Sequence, residues 1–542
     1  MKRSPEQRRA ERIGAGGVLL AALAAATMLL SPAIAGEIAL RRQSLGDPQT
    51  LDPQLWVYGQ DGNLAQDLFQ SLTTVDPAAN TVPGQAESWQ MSADGKTYTF
   101  RLRRGLRWSD GHKLDSEDFL WSFHRLFDPK TAAPSASLLY VIRNARAINT
   151  GKMPVDKLGV RTPDARTVII ELEHPAPYFT DILVHRAFPV PRHVIEKFGR
   201  DWTKPGNHVS NGAFKLAEWR PNAYVKLVRN PLFHEAATVK LDAVYHIPIE
   251  DPNTALTRFR SGELDIVVSL PSEKIDDARR DFPQALHLFQ QIGLEYYVIN
   301  TRRAPFNDPR VRRALSLAID RDTLTRLVLR AGERPAYCVV PPGVVNYTPQ
   351  QCLAPGALPA TMAARLQLAR QLLAQAGFSS VRPLNVSLRV NNNDSQRKIA
   401  VTIQAMWRAA GIQTTIISTE LKVHQSAQQQ GDYDVARAAW YAEDKDPASF
   451  LELLDSRAVG INVSRYTNPR FEALLDQADQ SADLVKRAQL MNEAERLAIA
   501  DQPLLPLYYY VSRRLISRRV VGWTDNARGV HINRYFSLRP SP

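Results

Sequence analysis

The residues with the most suggestive chemistry are Trp440, Tyr441, Glu443 and Asp444, where an aromatic pair is followed by two carboxylates. They come directly after segment 433–439, whose pattern predicts a strand. A carboxylate beside aromatic rings suits an ammonium group, and ligands of open α/β sheets bind beyond the carboxyl ends of strands. Acidic clusters with a proline are also typical of solvated loops that close a sheet. On this stretch alone the solvated loop is the favoured interpretation.

Motifs of known enzyme classes are few. No G-x-S-x-G elbow, P-loop or strand-linked G-x-G-x-x-G occurs in the sequence. Ser395 and Lys398 match the S-x-x-K of serine acyl transferases, but neither S-D-N nor K-T-G accompanies them, so Ser395 or Asp394 is better explained as a helix cap. The eleven histidines include no pair with metal-ligand spacing. The sequence therefore predicts no catalytic residue, no metal and no cofactor.

Length and charge limit the remaining classes. The chain has 542 residues, 44% of them hydrophobic and 23% charged, which is ordinary for a soluble protein of two or three domains. Its formal net charge is +13, but the basic residues are dispersed among acidic ones. The densest basic group, 101–107, follows a strand-and-turn pattern and fits a solvated sheet face. We therefore expect no nucleic-acid partner.

The amino terminus predicts the compartment. Four arginines between positions 3 and 12 precede an apolar run over 14–30, and Ala33-Ile34-Ala35 forms a small-x-small cleavage pattern. These features predict a secretory signal peptide over 1–35. The apolar run is short for a membrane anchor, and no cysteine follows the predicted cut. The mature protein is expected to be secreted and soluble.

Two cysteines, Cys338 and Cys352, are present, both in the predicted mature part. In an oxidising compartment they predict a disulfide that closes a loop rich in proline and glycine. A loop of this length contributes about 3 kcal/mol in the loop-entropy model. Neither C-x-x-C nor H-E-x-x-H is present, so the pair is interpreted as structural rather than zinc-binding.

The clearest alternation of helices and strands lies between 361 and 441. The pattern predicts, in order, a helix, a strand, a helix and a strand, at 362–376, 384–390, 396–410 and 412–418. A short helical turn then leads to a last strand at 433–441, which contains Trp440. Such units imply a mostly parallel sheet with helices on both faces. Trp440 and Glu443 then lie at the carboxyl edge of the sheet, where crevices form, so the stretch fits a ligand-binding site as well as a solvated loop.

Earlier segments give further elements. One helix is predicted to begin at Asp308 and Pro309, as N-cap and first helical residue, and to end near Gly332. Segment 69–193 contains short strands, a hairpin and a helix, and is predicted to be one α+β unit.

Four blocks of the mature sequence resemble the periplasmic oligopeptide-binding proteins of ABC importers. They are 86–89 with 107–111, 211–214 with 229–231, 305–312 with 320–321, and 434–451. The resemblance runs through essentially the whole mature chain. It implies an α/β periplasmic solute-binding-protein fold, with two α/β lobes that close about a hinge and an additional α+β lobe. The lobes it implies are lobe I at 36–68, 194–292 and 510–542, lobe II at 69–193, and lobe III at 293–509.

In that family the peptide lies extended between lobes, bonded through its backbone like an added strand. The resemblance implies that Glu443 meets the ligand's α-amino group, at the acidic position of a W-x-A-D motif, with Asp444 as the alternative. The resemblance also implies that one strand edge that pairs with the ligand is formed by Ala439, Trp440 and Tyr441, and the opposite edge by Val57, Tyr58 and Gly59. It implies a basic residue of the cleft at Arg437 and cleft tyrosines at Tyr296 and Tyr510.

Some family contacts are replaced in this sequence. Leu421 stands where the family has an aromatic residue, and Gln428 stands where it has a basic one. Leu329 and Gln396 replace two groups on the side of the ligand's carboxyl end. Gly293 and Tyr441 stand where the family has cysteines near the cleft. These changes leave the favoured peptide length and the recognition of the carboxyl terminus open.

The sequence thus predicts a periplasmic receptor, monomeric and not an enzyme, that captures oligopeptides and delivers them to the permease subunits of an inner-membrane ABC transporter. A narrower receptor for murein tripeptide, glutathione or a dipeptide is the first alternative. A secreted peptide hydrolase is the alternative from another class.

Overall fold

The computed structural model describes residues 37–56, 59–345, 347, 352, 358–442, 444–458 and 460–540. The chain divides into Met1–Ile38, of which Glu37 and Ile38 are described, and Ala39–Pro542, which contains every element below. The predicted signal peptide, Val57, Tyr58 and Glu443 lie outside the described residues.

The described residues form nineteen strands, numbered β1 to β19. They are Ala39–Ser44, Thr73–Val75, Thr81–Pro83, Ala86–Met91, Thr97–Leu102, Val160–Asp164, Thr167–Glu171, Phe214–Arg220, Tyr224–Arg229, Ala243–Pro248, Ile266–Val267, Leu286–Ile299, Arg334–Pro335, Leu384–Asn391, Ile412–Thr419, Val435–Tyr441, Leu504–Ile516, Val520–Val521 and Ser537–Leu538.

The same residues form fifteen α-helices, numbered α1 to α15. They are Gly59–Leu68, Ser116–Phe127, Ala145–Asn149, Phe179–Arg186, Arg192–Phe198, Pro252–Arg260, Ile275–Asp281, Pro309–Leu317, Arg321–Thr323, Met362–Gln375, Asp394–Ala409, Leu421–Gln430, Ala448–Leu451, Pro469–Asp479 and Leu484–Asp501. Among them no helix is both long and apolar enough to span a membrane.

The largest sheet has the strand order β15-β14-β16-β12-β17-β11-β1-β10-β9-β8, with β13 paired to β17. The strands β12 and β17 are long, at 14 and 13 residues, and they pair antiparallel. One end of this pair is flanked by β11, through β17, and the other by β16, through β12. The two long strands therefore join one group of strands, β15, β14 and β16, to a second group, β11, β1, β10, β9 and β8, in one sheet. Their register shifts between Gln290 and Leu294, where the two groups meet.

The prediction for 361–441 is confirmed at the level of elements. The side chains of Leu384, Val386, Leu388 and Val390 are buried and alternate with less buried ones, as expected for a strand with one face in the core. β14 runs parallel to both β15 and β16. The sheet as a whole is mixed rather than mostly parallel, because β16 continues antiparallel to β12.

Two helix predictions are corrected. The helix expected from 309 to about 332 ends at Leu317, because the Asp320 side chain accepts a hydrogen bond from the Thr323 backbone N–H and starts a new helical segment. The buried Arg321 donates to the Ser316 carbonyl and fixes the break. At α11 the N-cap is Asn393, which accepts from the Gln396 N–H, rather than Ser395 or Asp394.

A second, antiparallel sheet has the order β4-β5-β7-β6 and lies within 86–171. Its buried residues, such as Phe100 and Val168, share a core with Phe119 and Phe123 of α2. This segment thus combines an antiparallel sheet with a helix that shares its core.

The predicted disulfide is confirmed. Cys338 and Cys352 are bonded, their Cα atoms are 5.7 Å apart, and both are buried. They lie in the same core cluster as Tyr347 and Tyr509.

Candidate ligand-binding cleft

Two cavities adjoin at the register shift of the long strands. Their volumes are about 660 Å³ and 290 Å³, and they share six lining residues: Ser269, Leu270, Tyr441, Tyr510, Val511 and Arg513. The larger is lined by β1, α1, the segment after β11 and the ends of β16 and β17. The smaller reaches the start of α11. Because they share walls, we treat them as one cleft between the two strand groups.

One wall of the cleft is formed by β16, whose second edge is mostly unpaired. All seven of its residues pair with β12, whereas β14 pairs only with Val435 and Ala436. The Ala442 N–H donates to Ile292 of β12, and the Arg437 carbonyl accepts on the other side from His424 and Gln428 of α12. Since backbone groups of a strand alternate between its edges, those of Ala439 and Tyr441 face away from β12.

Arg437 is held by Glu295 of β12. Its Nε and Nη2 lie 2.6 and 2.7 Å from the two carboxylate oxygens of Glu295, which is fully buried. The Tyr510 hydroxyl donates to the same carboxylate and lies 3.1 Å from Arg437 Nη2. Burial acts to lower the pKa of Arg437, but the adjacent carboxylate raises it well above the usual guanidinium value. Arg437 is therefore a charged residue that lines the smaller cavity while already paired.

Tyr441 and Tyr510 form the wall that the two cavities share. Their ring centroids are 4.4 Å apart. Tyr441 is 49% exposed, although it is a large aromatic residue at the end of a strand. Exposed aromatic faces of this kind offer contact area to a ligand without requiring a particular side chain.

Trp440 and Tyr296 lie behind this wall. Tyr296 is buried in the core cluster of β12, and Trp440 packs against the same cluster. Neither residue lines either cavity. The structure thus places them where they support Ala439 and Tyr441 rather than in the open cleft.

Asp444 and Asp446, in the loop after β16, both have hydrogen-bond partners within the protein. Asp444 accepts from the Asp446 N–H at 2.8 Å and from the Ser449 hydroxyl at 2.6 Å. Burial, together with the charge of Asp446, raises the pKa of Asp444 to about 7. Asp446 forms a buried pair with Arg487 at 2.7 and 2.8 Å. Asp444 therefore organises the loop that follows Ala442, a residue of the cleft wall.

The opposite wall begins at Gly59, the first residue of α1, which lines the larger cavity with Gln60, Asn63 and Gln66. Trp56 lies just before the undescribed Val57 and Tyr58, and the Arg186 guanidinium stacks 3.5 Å from its ring centroid. The sequence comparison with the peptide-binding family thus pointed to a segment that does reach the cavity.

The substituted positions also bear on the cleft. Leu329 and Gln396 line the smaller cavity, and Gln428 is one of the two donors to the Arg437 carbonyl. Leu421 is 45% exposed at the start of α12. Uncharged side chains thus stand at Leu329 and Gln396, the two positions that the resemblance assigns to the carboxyl end of a ligand.

The sequence matches the family described as Bacterial extracellular solute-binding proteins, family 5 Middle, over residues 80–460. The chain belongs to this family. Among its relatives, the periplasmic oligopeptide-binding protein OppA of Escherichia coli is 36% identical over 521 residues, covering 94% of this chain and 95% of that protein. A protein named "Probable deoxycholate-binding periplasmic protein YgiS", also from Escherichia coli, is 37% identical over 510 residues, covering 93% and 94%.

Solved structures of family 5 proteins have the same fold. The murein tripeptide binding protein MppA of Escherichia coli superposes with a TM-score of 0.83 at 33% identity, covering 93% of this chain and 99% of that one. The OppA complex of Haemophilus influenzae with the peptide RPPGFSPFR superposes with a TM-score of 0.82 at 30% identity, covering 93% and 99%. The predicted fold class is confirmed, and membership of a solute-binding family supports the prediction of a receptor rather than an enzyme.

Sequence reasoning missed several residues of this family 5 cleft. Four arginines line the larger cavity: Arg42, Arg513, Arg514 and Arg528. They come from β1, from β17 and from the segment after β18, so no local pattern joins them. One signal was available, because two consecutive arginines interrupt the otherwise apolar run of β17.

Proposed function

We propose that this family 5 protein is a periplasmic receptor that binds oligopeptides in the cleft and delivers them to an inner-membrane ABC transporter. The names of its relatives include oligopeptide-binding and murein peptide-binding proteins, and one similar structure holds a nonapeptide. We assign lobe I to 36–68, 194–292 and 510–542, lobe II to 69–193 and lobe III to 293–509. Lobes I and III close on the ligand, and the receptor acts as a monomer.

The observation that carries this proposal is the free edge of β16 in the cleft. An extended peptide can add to this edge and bond to the backbone of Ala439 and Tyr441, with Trp440 between them pointing into the core. Backbone bonds are available in every peptide, so this mode of recognition suits a receptor of broad specificity. Val57, Tyr58 and Gly59 would supply the opposite edge.

Glu443 is our candidate for the ligand's amino group. An ammonium group in a closed cleft requires a carboxylate, since an unpaired buried charge is strongly unfavourable. Ala442 lines the larger cavity and Asp444 has both carboxylate oxygens bonded within its own loop. Glu443 lies between them in the sequence and is the residue that the resemblance places at the acidic position of the motif.

The remaining site residues have supporting tasks in this proposal. Tyr441 and Tyr510 contact the ligand with their rings, and Arg437 presents the charge that Glu295 keeps in place. Tyr296 and Trp440 hold the strand edge from the core side.

The proposal is tested by incubating the mature protein with a pool of tripeptides to pentapeptides and analysing bound and free species by mass spectrometry. Intact peptides that co-purify with the protein support the receptor. Cleaved products would support the hydrolase instead. Separate titrations with murein tripeptide, glutathione and dipeptides distinguish the narrower receptors, because a narrow receptor would bind one of these and leave the pool unbound.

A further inference from the structure

The larger cavity of the cleft is strongly cationic. Arg42, Arg513, Arg514 and Arg528 all line it, and the described residues of its wall include no aspartate or glutamate. The smaller cavity differs, because it contains one carboxylate, Glu333, besides Arg513 and the paired Arg437. The excess of positive charge is thus concentrated on the side of α1 and β1.

Two of these arginines are buried without a carboxylate partner. Arg42 is 2% exposed, donates to the Asn533 side chain at 2.8 Å, and has a buried Nε without a described hydrogen-bond partner. Arg514 is also buried and donates to the Ser512 hydroxyl and the Gly529 carbonyl at 3.0 Å. Within the described residues, the hydrogen-bond partners of the two guanidiniums are amide, hydroxyl, carbonyl and imidazole groups, and none of them is a carboxylate. Buried cations in such a setting are unfavourable until an anion approaches.

The titration of neighbouring groups indicates the same positive potential. Burial, with the nearby Arg42, lowers the pKa of Arg514 to about 9. Burial and Arg514 together lower the pKa of His531 well below its usual value, and burial and Arg528 do the same to His185. Both imidazoles are therefore kept neutral, and His185 lines the cavity.

The carboxylates that act on these arginines already have other partners. Asp67, which acts on Arg42 from a distance, accepts from the Asn533 backbone N–H and lies 3.0 Å from His246. Asp525, which acts on Arg514, accepts from Trp523 at 2.8 Å. Asp181 is 3.9 Å from Arg528. These three carboxylates reduce the positive potential of the cavity, but none of them lines it.

Arg513 is the arginine best placed to contact a ligand. It is half-buried on β17 and lines both cavities. Its guanidinium has no hydrogen bond or ion pair with any described residue, and the nearby carboxylate that interacts with its charge is Glu333 of the smaller cavity. A guanidinium in this state is free to bind a carboxylate through two parallel hydrogen bonds.

We propose, resting on the function proposed above, that the larger cavity is a subsite for a carboxylate group of the ligand. Arg513 contacts the carboxylate, and Arg42, Arg514 and Arg528 supply fixed positive charge behind it. The carboxylate belongs to an acidic side chain near the amino end of a peptide, or to a non-peptide organic acid.

Calorimetry with amidated tripeptides tests this subsite, because amidation removes the terminal carboxylate. Glu-Ala-Ala-amide and Ala-Glu-Ala-amide are compared with their glutamine counterparts on the parent, on Arg513→Gln and on the matched control Arg518→Gln. Arg518 is an exposed arginine just beyond the end of β17. Deoxycholate serves as the non-peptide carboxylate.

The parent is expected to prefer glutamate to glutamine by about tenfold or more at one of the two positions. Arg513→Gln should remove most of that preference and change the affinity for the glutamine peptides by less than about threefold, while Arg518→Gln keeps the preference. Glutamine peptides that bind as tightly as glutamate peptides would overturn the subsite and leave the peptide receptor intact. Deoxycholate that binds in an Arg513-dependent manner, with no peptide bound, would support the subsite and refute the peptide function.

Discussion

Gly293 lies opposite Tyr441 in the ladder between β12 and β16, and a Cβ atom on Gly293 would come within 2.8 Å of the Tyr441 ring and 3.1 Å of the Tyr510 ring. The close approach of the two tyrosine rings, which form the wall shared by the two cavities, therefore requires glycine at 293. The peptide-binding family that the sequence resembles has cysteines at these two positions. This chain has instead a residue without a side chain at 293 and a large aromatic one at 441.

Gly293→Ala should move both rings and weaken peptide binding by about tenfold, with a loss of stability of about 1–3 kcal/mol from the added atom. Calorimetry and denaturant unfolding measure the two effects. Gly46→Ala is the control, because its Cβ would meet no atom closer than 3.6 Å. Unchanged affinity in Gly293→Ala would show that the ring positions do not matter for the ligand.

Glu443→Gln should weaken the binding of peptides with a free amino terminus by about 2–5 kcal/mol, since it removes one partner of a desolvated charge pair. N-acetylated peptides should bind the parent poorly and lose little more in the variant. Asp444→Asn should have a smaller effect on binding, because Asp444 is bonded within its loop. A loss of free-amine binding in Asp444→Asn, with none in Glu443→Gln, would move the assignment by one residue.

Glu295→Gln should lower the free energy of unfolding by about 3–5 kcal/mol, because it leaves the charge of Arg437 buried without its partner. Urea unfolding measures this change. Glu493→Gln is the control, since it breaks the exposed pair with Arg470 and should change stability by less than about 1 kcal/mol. Equal effects of the two substitutions would show that burial adds nothing to the Glu295 pair.

Asp444 should make stability fall as pH rises. Its pKa in the folded protein is about 7, above the ordinary carboxyl value, so between about pH 4 and pH 7 the folded state holds a proton that the unfolded state has released. The stabilising effect of that proton is complete below pH 4 and is lost as pH passes 7. Between pH 4 and pH 7, the decrease in the free energy of unfolding should be about 2–4 kcal/mol smaller in Asp444→Asn than in the parent. Urea unfolding at several pH values measures this difference.

The exposed Asp322→Asn is the control for this pH profile. A parent protein whose stability rises steadily from pH 4 to pH 7, with the same profile in Asp444→Asn, would contradict the prediction.

The disulfide between Cys338 and Cys352 should leave the mature protein without a reactive thiol after denaturation, and with two thiols per chain after reduction. Reduction should lower the free energy of unfolding by about 3 kcal/mol, which unfolding with and without reductant would measure. Two labelled thiols in the unreduced protein would refute this expectation.

Local sequence signals predicted the segment 361–441 well, because each element there carries its own start, periodicity and end. The side chain of Thr361 caps α10, the apolar residues of β14 alternate, and Gly411 follows the end of α11. The same signals failed at 318–332, where a buried arginine and a second cap break the helix. That break depends on Pro506, to whose carbonyl Arg321 donates at 2.7 Å, and a local pattern does not contain this contact.

The cleft was predicted less completely than the fold. The resemblance pointed to Arg437, Tyr441, Tyr510 and Gly59, all of which line a cavity, whereas Glu443 stays a prediction outside the described residues. It gave no indication that Glu295 pairs with Arg437. Nor did it indicate the cationic wall, whose arginines are brought together only when β1 and β17 enter the same sheet.

The position of β17 in the sheet has a consequence for how the protein is made. β17 belongs to the last part of the chain, yet it separates β12 from β11 and pairs with both. Until Leu504–Ile516 has been synthesised, β12 and β11 have no partner on that side. The sheet that carries the cleft therefore cannot be completed before then. Pairing between such distant parts of a chain folds slowly. We expect chains truncated before Leu504 to expose the edge of β12 and to aggregate, whereas a shorter truncation after Leu538 would keep every strand of the main sheet.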